Sequence, residues 1–287
     1  FVDTKDCDLT ILDQISQLCA DYRPDAIMHL AAVSGGVGLS FNYPATLLRD
    51  NVYMNLNVLE AARLNGISKT VMTLSSGMYP EDAPMPIKEE YAHQGLPHVS
   101  NYSYAFAKRL VEPSVKAYRV EYDMNVIGVV PNGIFGEYGN FSHEEAAMWA
   151  ALIRRFYEHR EGDGELVIWG DGTPLREHTY APDMARAFLW CLDHYDDPEI
   201  INVGSVEEHS VRDIALMITE ILDIDPDRLI FDTDKPAGVQ RKSTDNSKFV
   251  ALSGFTYTPF RIGLERTIRW FIDNYDVAGR VRFKGYL

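Results

Sequence analysis

The sequence contains few cysteines and no long hydrophobic segment. Its 287 residues include only three cysteines (Cys7, Cys19 and Cys191), and none of them forms a C-x-x-C pair. We therefore expect neither a metal site nor a disulfide framework, and scattered thiols fit a reducing cytoplasm. No apolar run approaches the roughly 20 residues that span a bilayer, and no signal peptide is recognisable. The expectation is a cytoplasmic protein that does not bind a membrane.

Basic residues are also scarce. The chain carries 27 Lys and Arg against 42 Asp and Glu, a net charge of −15. Such a surface repels phosphate backbones, so nucleic-acid binding is not expected. An anionic ligand would need cations placed locally in its site. Apolar residues make up 46% of the chain, enough for a sizeable core rather than a disordered polymer.

Helix-like and strand-like segments alternate along the first half of the chain. Continuously apolar strands of this kind are typical of a parallel sheet covered on both faces, so we predict a Rossmann-like, doubly wound α/β fold. After about residue 140 short strands and more helices predict a smaller α/β lobe. We assign residues 1–140 to a cofactor domain and 141–287 mainly to a substrate lobe interleaved with it. The predicted strands are 26–30, 71–74, 126–130, 165–168 and 200–203, and the predicted helices are 11–22, 55–64, 104–122, 144–159, 183–195, 210–222 and 262–275.

A glycine-rich phosphate loop is absent from the start of the sequence. A dinucleotide fold normally opens with a strand, a G-x-x-G-x-x-G turn and a helix. The nearest glycine cluster, Gly35-Gly36-Val37-Gly38, comes too late and lacks this spacing, and the first residue is Phe. From these features we expect that roughly 40 residues of a complete dinucleotide-binding half are missing from the sequence.

The segment Tyr104-Ala-Phe-Ala-Lys108 is the central candidate for chemistry. The i, i+4 spacing places both side chains on one helix face. A nearby ammonium favours phenolate, so we predict a lowered tyrosine pKa and a usable proton donor for carbonyl reduction. Taken alone, Y-x-x-x-K is a weak motif, and an ordinary surface pair is the simpler interpretation.

Two further motifs favour the functional interpretation. Ser75-Ser76 follows an apolar strand, where a hydroxyl would face the crevice at the strand's carboxyl end. His29-Leu30-Ala31-Ala32 ends an earlier strand, and its small residues would let a cofactor approach closely. For His29 itself, an ordinary core histidine is the preferred alternative to a catalytic one.

The order of these motifs is similar to that of a known family. His29–Ala32, Ser75-Ser76, Tyr104–Lys108 and Pro131–Gly136 together resemble the extended short-chain dehydrogenases/reductases of the NAD-dependent epimerase/dehydratase family. Longer stretches resemble the GDP-L-fucose synthases within it. They are residues 97–104, 152–156, 167–177, 201–204, 231–233 and 241–242.

The resemblance implies roles for individual residues. Ser75 (with Ser76 as the alternative), Tyr104 and Lys108 would be catalytic and would polarise a 4-keto group. Contacts to NADP, or to NAD in its place, would come from His29, Ala31, Leu74, Tyr104, Lys108, Pro131, Gly133 and Ile134. A GDP-linked sugar would be bound by Ser76, Asn140, Arg155, Trp169, Arg176 and Lys242. Arginine forks suit a diphosphate, while a core position for Trp169 and a solvated charge for Arg155 are the plain alternatives. A homodimer would form through helices near 52–64 and 104–122.

Some positions depart from the family pattern. GDP-L-fucose synthases also invert carbons 3 and 5 with a cysteine and a histidine, where this sequence has Gly77 and Ala147. Neither residue can transfer a proton, and we do not expect His143 or Tyr79 to replace them. Asn132-Gly133 stands in place of Thr-Asn, and Ala237 in place of aspartate, so the sugar need not be the fucose precursor.

Three hypotheses follow. The leading one is an NADPH-dependent 4-ketoreductase of a GDP-linked 4-keto-6-deoxy sugar that has lost the 3,5-epimerase step. The second is a nucleotide-sugar 4-epimerase or dehydratase of the same superfamily. The third is a non-catalytic fragment that binds a nucleotide sugar.

Overall fold

The computed structural model describes residues 2–35, 37–143, 146–235 and 237–278. The helices, in chain order, are α1 (Leu12–Tyr22), α2 (Val37–Asn42), α3 (Pro44–Leu64), α4 (Tyr102–Arg109), α5 (Val111–Tyr122), α6 (Met148–Glu158), α7 (Ala181–His194), α8 (Val211–Ile221), α9 (Ser247–Ser253), α10 (Phe260–Asp273) and α11 (Tyr275–Ala278). The strands are β1 (Ala26–His29), β2 (Lys69–Thr73), β3 (Val126–Pro131), β4 (Ile134–Phe135), β5 (Leu166–Trp169), β6 (Leu175–Glu177), β7 (Thr179–Tyr180), β8 (Ile201–Val203), β9 (Glu208–Ser210), β10 (Leu229–Asp232) and β11 (Arg241–Lys242).

The chain divides into two compact units, each made of three segments. Unit 1 contains the described residues of Phe1–Pro131, Ala185–Val203 and Asp245–Phe255. Unit 2 contains those of Asn132–Met184, Gly204–Thr244 and Thr256–Leu287. The division into a cofactor domain (1–140) and a substrate lobe (mainly 141–287) stays a prediction.

Unit 1 is built on a parallel sheet in the order β1-β2-β3-β8. Most residues of β2, β3 and β8 are buried, whereas three of the four residues of β1 are half-buried. Helices pack against the sheet and remove these side chains from water. The core brings together side chains of α1, α3, β2, β3 and α5, with Leu59, Met72 and Val115 essentially inaccessible. The parallel α/β fold expected from the sequence is confirmed.

Unit 2 has sheets of only two or three strands, and its core is richer in aromatic side chains. It contains a parallel β10-β5 pair, a parallel β4-β7 pair, and a β11-β6-β9 sheet whose β6 and β9 run antiparallel. Its core packs the apolar faces of α6, α8 and α10 around Phe135, Phe141 and Phe271.

Three predicted helices are wrong in their bounds. The helix expected at 55–64 is only the last part of α3, which begins at Pro44. The helix expected at 104–122 is two helices, α4 and α5, separated at Leu110. Pro113 explains the break, because it cannot donate a hydrogen bond to the carbonyl of Arg109 and its ring crowds that carbonyl. The helix expected at 144–159 begins only at Met148. Residues 144 and 145, and Gly36 of the glycine cluster, lie outside the described residues.

Candidate active site

Three strands of unit 1 end at one edge of the sheet. β1 ends at His29, β2 at Thr73 and β3 at Pro131, and all three run parallel, with His29 opposite Met72 and Thr73 opposite Val129. In parallel α/β sheets this carboxyl edge is where ligands bind. The sequence motifs that follow β1 and β2 are therefore gathered at the edge where such chemistry is expected.

Ser75 lies two residues beyond β2. Its backbone is extended (φ −156°), and it begins the 3₁₀ turn Ser76–Met78. The Ser75 Oγ accepts a hydrogen bond from the backbone N–H of Gly77 at 3.2 Å. The Ser75 side chain also interacts with Tyr104. Of the two candidate serines, Ser75 is thus the one that the structure brings to the tyrosine, while Ser76 follows it in the turn.

Lys108 is almost fully enclosed in unit 1. Its residue is 1% exposed, and its Nζ donates a hydrogen bond to the carbonyl oxygen of Thr73 at 2.8 Å. Burial lowers the pKa of Lys108 to about 8. An ammonium has three N–H donors, so the bond to Thr73 leaves donors for a ligand. The lysine spans from α4 to the end of β2, beside Ser75.

The predicted lowering of the Tyr104 pKa is wrong for this structure. Burial raises the pKa of Tyr104, and the interaction with the Ser75 side chain offsets this only in part. The physical reason is that removal from water penalises the phenolate, while the ammonium of Lys108 is bonded to Thr73. Tyr104 is therefore a protonated phenol at neutral pH, the form that can donate a proton.

His29 is buried at the end of β1. Its Nε2 donates to Asn55 Oδ1 at 3.0 Å. Burial, with a smaller effect from the charge of Lys108, lowers the pKa of His29 to about 4. This neutral, hydrogen-bonded environment matches the ordinary core histidine that the sequence analysis preferred to a catalytic one.

The other predicted cofactor contacts occupy different environments. Ala31 is exposed just after β1, Pro131 is half-buried at the end of β3, and Leu74 is 1% exposed. In unit 2, Ile134 is 49% exposed in β4. Gly133 precedes it with a φ of +59°, and a Cβ there would lie 2.1 Å from the Glu177 carbonyl oxygen. The structure thus gives Gly133 a backbone role that the sequence did not indicate.

Unit 2 carries the predicted ligand-binding cations. β11 pairs with β6 so that Lys242 lies opposite Arg176. Burial lowers the pKa of Arg176 and of Arg155. Both guanidinium groups nevertheless remain cations at neutral pH. Within the described residues, the buried Nε of Arg155 has no hydrogen-bond partner. A buried donor without a partner is costly, and an anionic ligand would satisfy it.

Trp169 and Asn140, both predicted to bind the sugar nucleotide, differ in their environments. Trp169 ends β5 with 63% of its surface exposed, so it is not the core residue that the sequence allowed as an alternative. The Asn140 Oδ1 accepts a hydrogen bond from the backbone N–H of Ser142 at 2.9 Å, which commits one of its polar atoms to a local turn.

The two positions that break the family pattern are both ordered. Gly77 lies inside the Ser76–Met78 turn, and Ala147 is the residue before α6. His143 lies before the helix, and its Nε2 contacts Arg154 and Glu158. Tyr79 is 3% exposed, and its hydroxyl donates to Asn202 Oδ1 at 2.6 Å. Both side chains that could have replaced the lost acids have structural partners.

Asn101 is a side chain that sequence reasoning did not single out. It immediately precedes α4, and a Cβ at Gly77 would lie 2.7 Å from its Nδ2. An asparagine just before a helix is typically an N-cap, a role that would not by itself place its amide beside Gly77. Its place three residues before Tyr104 was the available signal.

No group of three or more His, Cys, Asp or Glu side chains among the described residues could hold a metal ion. None of the helices described is both long and apolar enough to cross a membrane.

The parallel sheet and the Ser75, Tyr104 and Lys108 arrangement at its carboxyl edge define the short-chain dehydrogenase/reductase class of α/β protein. A family model described as the NAD dependent epimerase/dehydratase family matches residues 2–204, and the chain belongs to this family.

Individual relatives agree with this assignment. A GDP-L-fucose synthase of Dictyostelium discoideum is 34% identical over 281 residues, covering 97% of this chain and 88% of the relative. A GDP-L-fucose synthase of Escherichia coli is 30% identical over 290 residues, with the same two coverages. Among solved structures, a GDP-L-fucose synthetase from Naegleria fowleri bound to NADP superposes with a TM-score of 0.90 at 34% identity, covering 98% of this chain and 86% of that one.

Proposed function

We propose that the protein is an NADPH-dependent 4-ketoreductase of a GDP-linked 4-keto-6-deoxy sugar and that it does not epimerise carbons 3 and 5. The observation that carries the proposal is the gathering of Ser75, Tyr104 and Lys108 at the carboxyl edge of the sheet. Burial keeps Tyr104 protonated, which suits a group that gives its proton to a carbonyl oxygen.

The three side chains have separate tasks in the reduction. Tyr104 donates its phenolic proton to the carbonyl oxygen as negative charge develops there. Ser75 donates a hydrogen bond to the same oxygen and fixes its position. Lys108, with a pKa of about 8, is charged at neutral pH and favours the tyrosinate left behind.

NADP is the cofactor that fits these residues. The free donors of the buried Lys108 ammonium suit ribose hydroxyls, and the small, exposed Ala31 after β1 permits close approach. The NADP-bound Naegleria fowleri relative supports NADP, and the family description supports a nicotinamide dinucleotide by naming NAD. When bound, NADPH supplies the hydride.

A GDP-linked sugar is supported by the relatives' names and by the charges of unit 2. The chain as a whole repels anions, with a net charge of −15. Arg155, Arg176 and Lys242 supply local positive charge for a diphosphate, and the buried, unpartnered Nε of Arg155 offers a donor. The exposed indole of Trp169 gives a flat apolar face for a base or a sugar.

Loss of epimerisation rests on Gly77 and Ala147. Inversion needs one group that removes a proton and another that returns it on the opposite face, and neither residue can do so. Tyr79 cannot replace them readily, because burial raises its pKa strongly and Asn202 accepts its hydrogen bond. His143 lies before the start of α6, and its Nε2 contacts Arg154 and Glu158.

A combined kinetic and isotope experiment tests both halves of the proposal. The protein, expressed from its full reading frame, is given NADPH and GDP-4-keto-6-deoxymannose in D₂O. We expect NADPH oxidation and a product without deuterium at carbons 3 and 5. Tyr104→Phe should lower kcat by about 10²- to 10⁴-fold, because it removes the proton donor. Tyr102→Phe, at an exposed tyrosine two positions away, should leave kcat unchanged.

Each other outcome has a meaning. Deuterium at carbon 3 or 5 would refute the loss of epimerisation. Interconversion of sugars without net NADPH oxidation would indicate the 4-epimerase or dehydratase hypothesis. Binding of the GDP-sugar without turnover would indicate the non-catalytic hypothesis.

We also propose a homodimer in the cytoplasm. Tyr53 and Leu56 on α3 and Val120 on α5 are exposed apolar residues of unit 1, in the helices expected at the interface. Sedimentation at micromolar concentration should give twice the monomer mass, and Tyr53→Glu should reduce it to that of a monomer. The cytoplasmic location rests on the three cysteines, which are all free.

A further inference from the structure

Asn101 precedes α4 but does not cap it. It ends the 3₁₀ turn Val99–Asn101, and its side chain makes no capping hydrogen bond to the helix. His98 caps the preceding turn instead, where its Nδ1 accepts from the backbone N–H of Ser100 at 3.1 Å. Within the described residues, the amide of Asn101 therefore has hydrogen-bonding capacity that the local backbone does not use.

The amide of Asn101 occupies the space beside Gly77. A Cβ built on Gly77 would lie 2.7 Å from Asn101 Nδ2 and 3.4 Å from Ser75 Oγ. Both Gly77 and Ser75 belong to one tight turn, joined by the Gly77 N–H bond to Ser75 Oγ. Asn101 thus stands where a side chain at position 77 would stand, next to the hydroxyl that contacts Tyr104.

This placement has a chemical consequence at the reacting carbonyl. Ser75 and Tyr104 converge on the keto oxygen in the proposed reduction, so a group close to Ser75 Oγ faces a carbon next to the keto carbon. An amide can donate and accept hydrogen bonds, but it does not exchange protons with a C–H bond near neutral pH. A hydroxyl on that neighbouring carbon is the group it suits.

We propose that Asn101 is a substrate-positioning residue: its amide takes the place of a side chain at position 77 and hydrogen-bonds the hydroxyl adjacent to the keto group. This inference rests on the proposed reductase function. Asn101 makes the enzyme selective for sugars that carry this hydroxyl.

The kinetic test compares two substrates. The protein and its Asn101→Ala variant are assayed with a GDP-4-keto-6-deoxy sugar and with the analogue that lacks the hydroxyl at carbon 3. Loss of one neutral hydrogen bond should lower kcat/KM about tenfold on the hydroxylated sugar and leave the deoxy analogue unaffected. Asn65→Ala is the matched control, because the amide of Asn65 bonds Ala61 at the end of α3.

A second test measures the shared space without a substrate. Gly77→Ala should lower the melting temperature by a small amount, because the Asn101 amide, the end of a flexible side chain, must move away from the methyl group. In the double variant with Asn101→Ala, this penalty should largely disappear, a non-additivity for residues in contact.

Three results would overturn the inference. The first is an equal loss on both substrates, which indicates a structural role only, and the second is no loss on either. The third is additive melting temperatures, which mean that the two side chains do not compete for space. Absence of NADPH oxidation by the unsubstituted protein is a separate outcome, and it would reject the proposed reductase and this inference together.

Discussion

Two constraints act together on the single residue Gly133. Its φ of +59° lies in the left-handed region, which costs an L side chain about 1 kcal/mol or more. A Cβ would also lie 2.1 Å from the carbonyl oxygen of Glu177, inside any allowed contact. That approach accompanies a hydrogen bond from the Thr179 N–H to the Gly133 carbonyl at 2.9 Å.

Replacing Gly133 with alanine should therefore destabilise the protein by more than conformational strain alone. We expect a loss of about 3 kcal/mol or more in the free energy of unfolding, since the backbone must move away from Glu177. Gly254→Ala is the matched control: its φ is +62°, but its Cβ would meet nothing within 4 Å. Its cost should be about 1–2 kcal/mol. Equal losses in urea unfolding would contradict the steric explanation.

At this scale the sequence predicted residue types better than environments. The spacing of Tyr104 and Lys108 and the position of Ser75 after a strand were sufficient to bring the three together. The direction of the Tyr104 pKa was wrong because burial depends on tertiary packing, which spacing does not reveal. Gly133 was predicted only as a cofactor contact, because its close neighbour Glu177 lies 44 positions further along the chain.

Among the elements, α4 does more than carry Tyr104 and Lys108. Its last residue, Arg109, is 6% exposed and donates through Nε to the Met78 carbonyl at 3.0 Å and through Nη1 to the Gly95 carbonyl at 2.8 Å. Met78 closes the turn that begins after Ser75. The helix thus holds the serine turn in place through one buried guanidinium.

Removal of that guanidinium should affect stability and activity together. Arg109→Met leaves the buried Met78 carbonyl and the half-buried Gly95 carbonyl without this donor, so we expect a loss of about 3 kcal/mol in the free energy of unfolding and a lower kcat as the Ser75 turn loosens. Arg269→Met on α10 is the control, because its side chain is 75% exposed. The prediction would be wrong if the two variants had the same melting temperature.

Some helices and strands could be predicted from the sequence, and others could not. Strands β1, β2 and β3 were predicted to within about two residues, because short apolar runs mark all three in the sequence. Strands β4, β7 and β11 have two residues each, too few for any periodicity to be visible. Pro113 indicated that the helix would be interrupted. The structure places the break at Leu110, next to the Arg109 carbonyl that the proline ring would crowd.

For the molecule as a whole, each unit has its own core and its own buried histidine. His29 belongs to unit 1 and is 3% exposed, and His178 belongs to unit 2 and is 8% exposed. Burial lowers the pKa of each to about 4, with smaller effects from Lys108 on the first and from Arg176 and His209 on the second. Neither histidine can take up a proton near neutral pH without a cost.

The stability of the whole protein should consequently fall on mild acidification. The unfolded chain protonates each histidine below pH 6.5, whereas the folded protein does so only near pH 4, so stability is complete above pH 6.5 and is lost as the pH falls towards 4. Between pH 7 and pH 5 we expect a loss of about 2 kcal/mol per histidine in urea unfolding. His29→Gln and His178→Gln should each reduce this pH dependence. A pH dependence that survives both buried substitutions would assign acid sensitivity to the carboxylates instead.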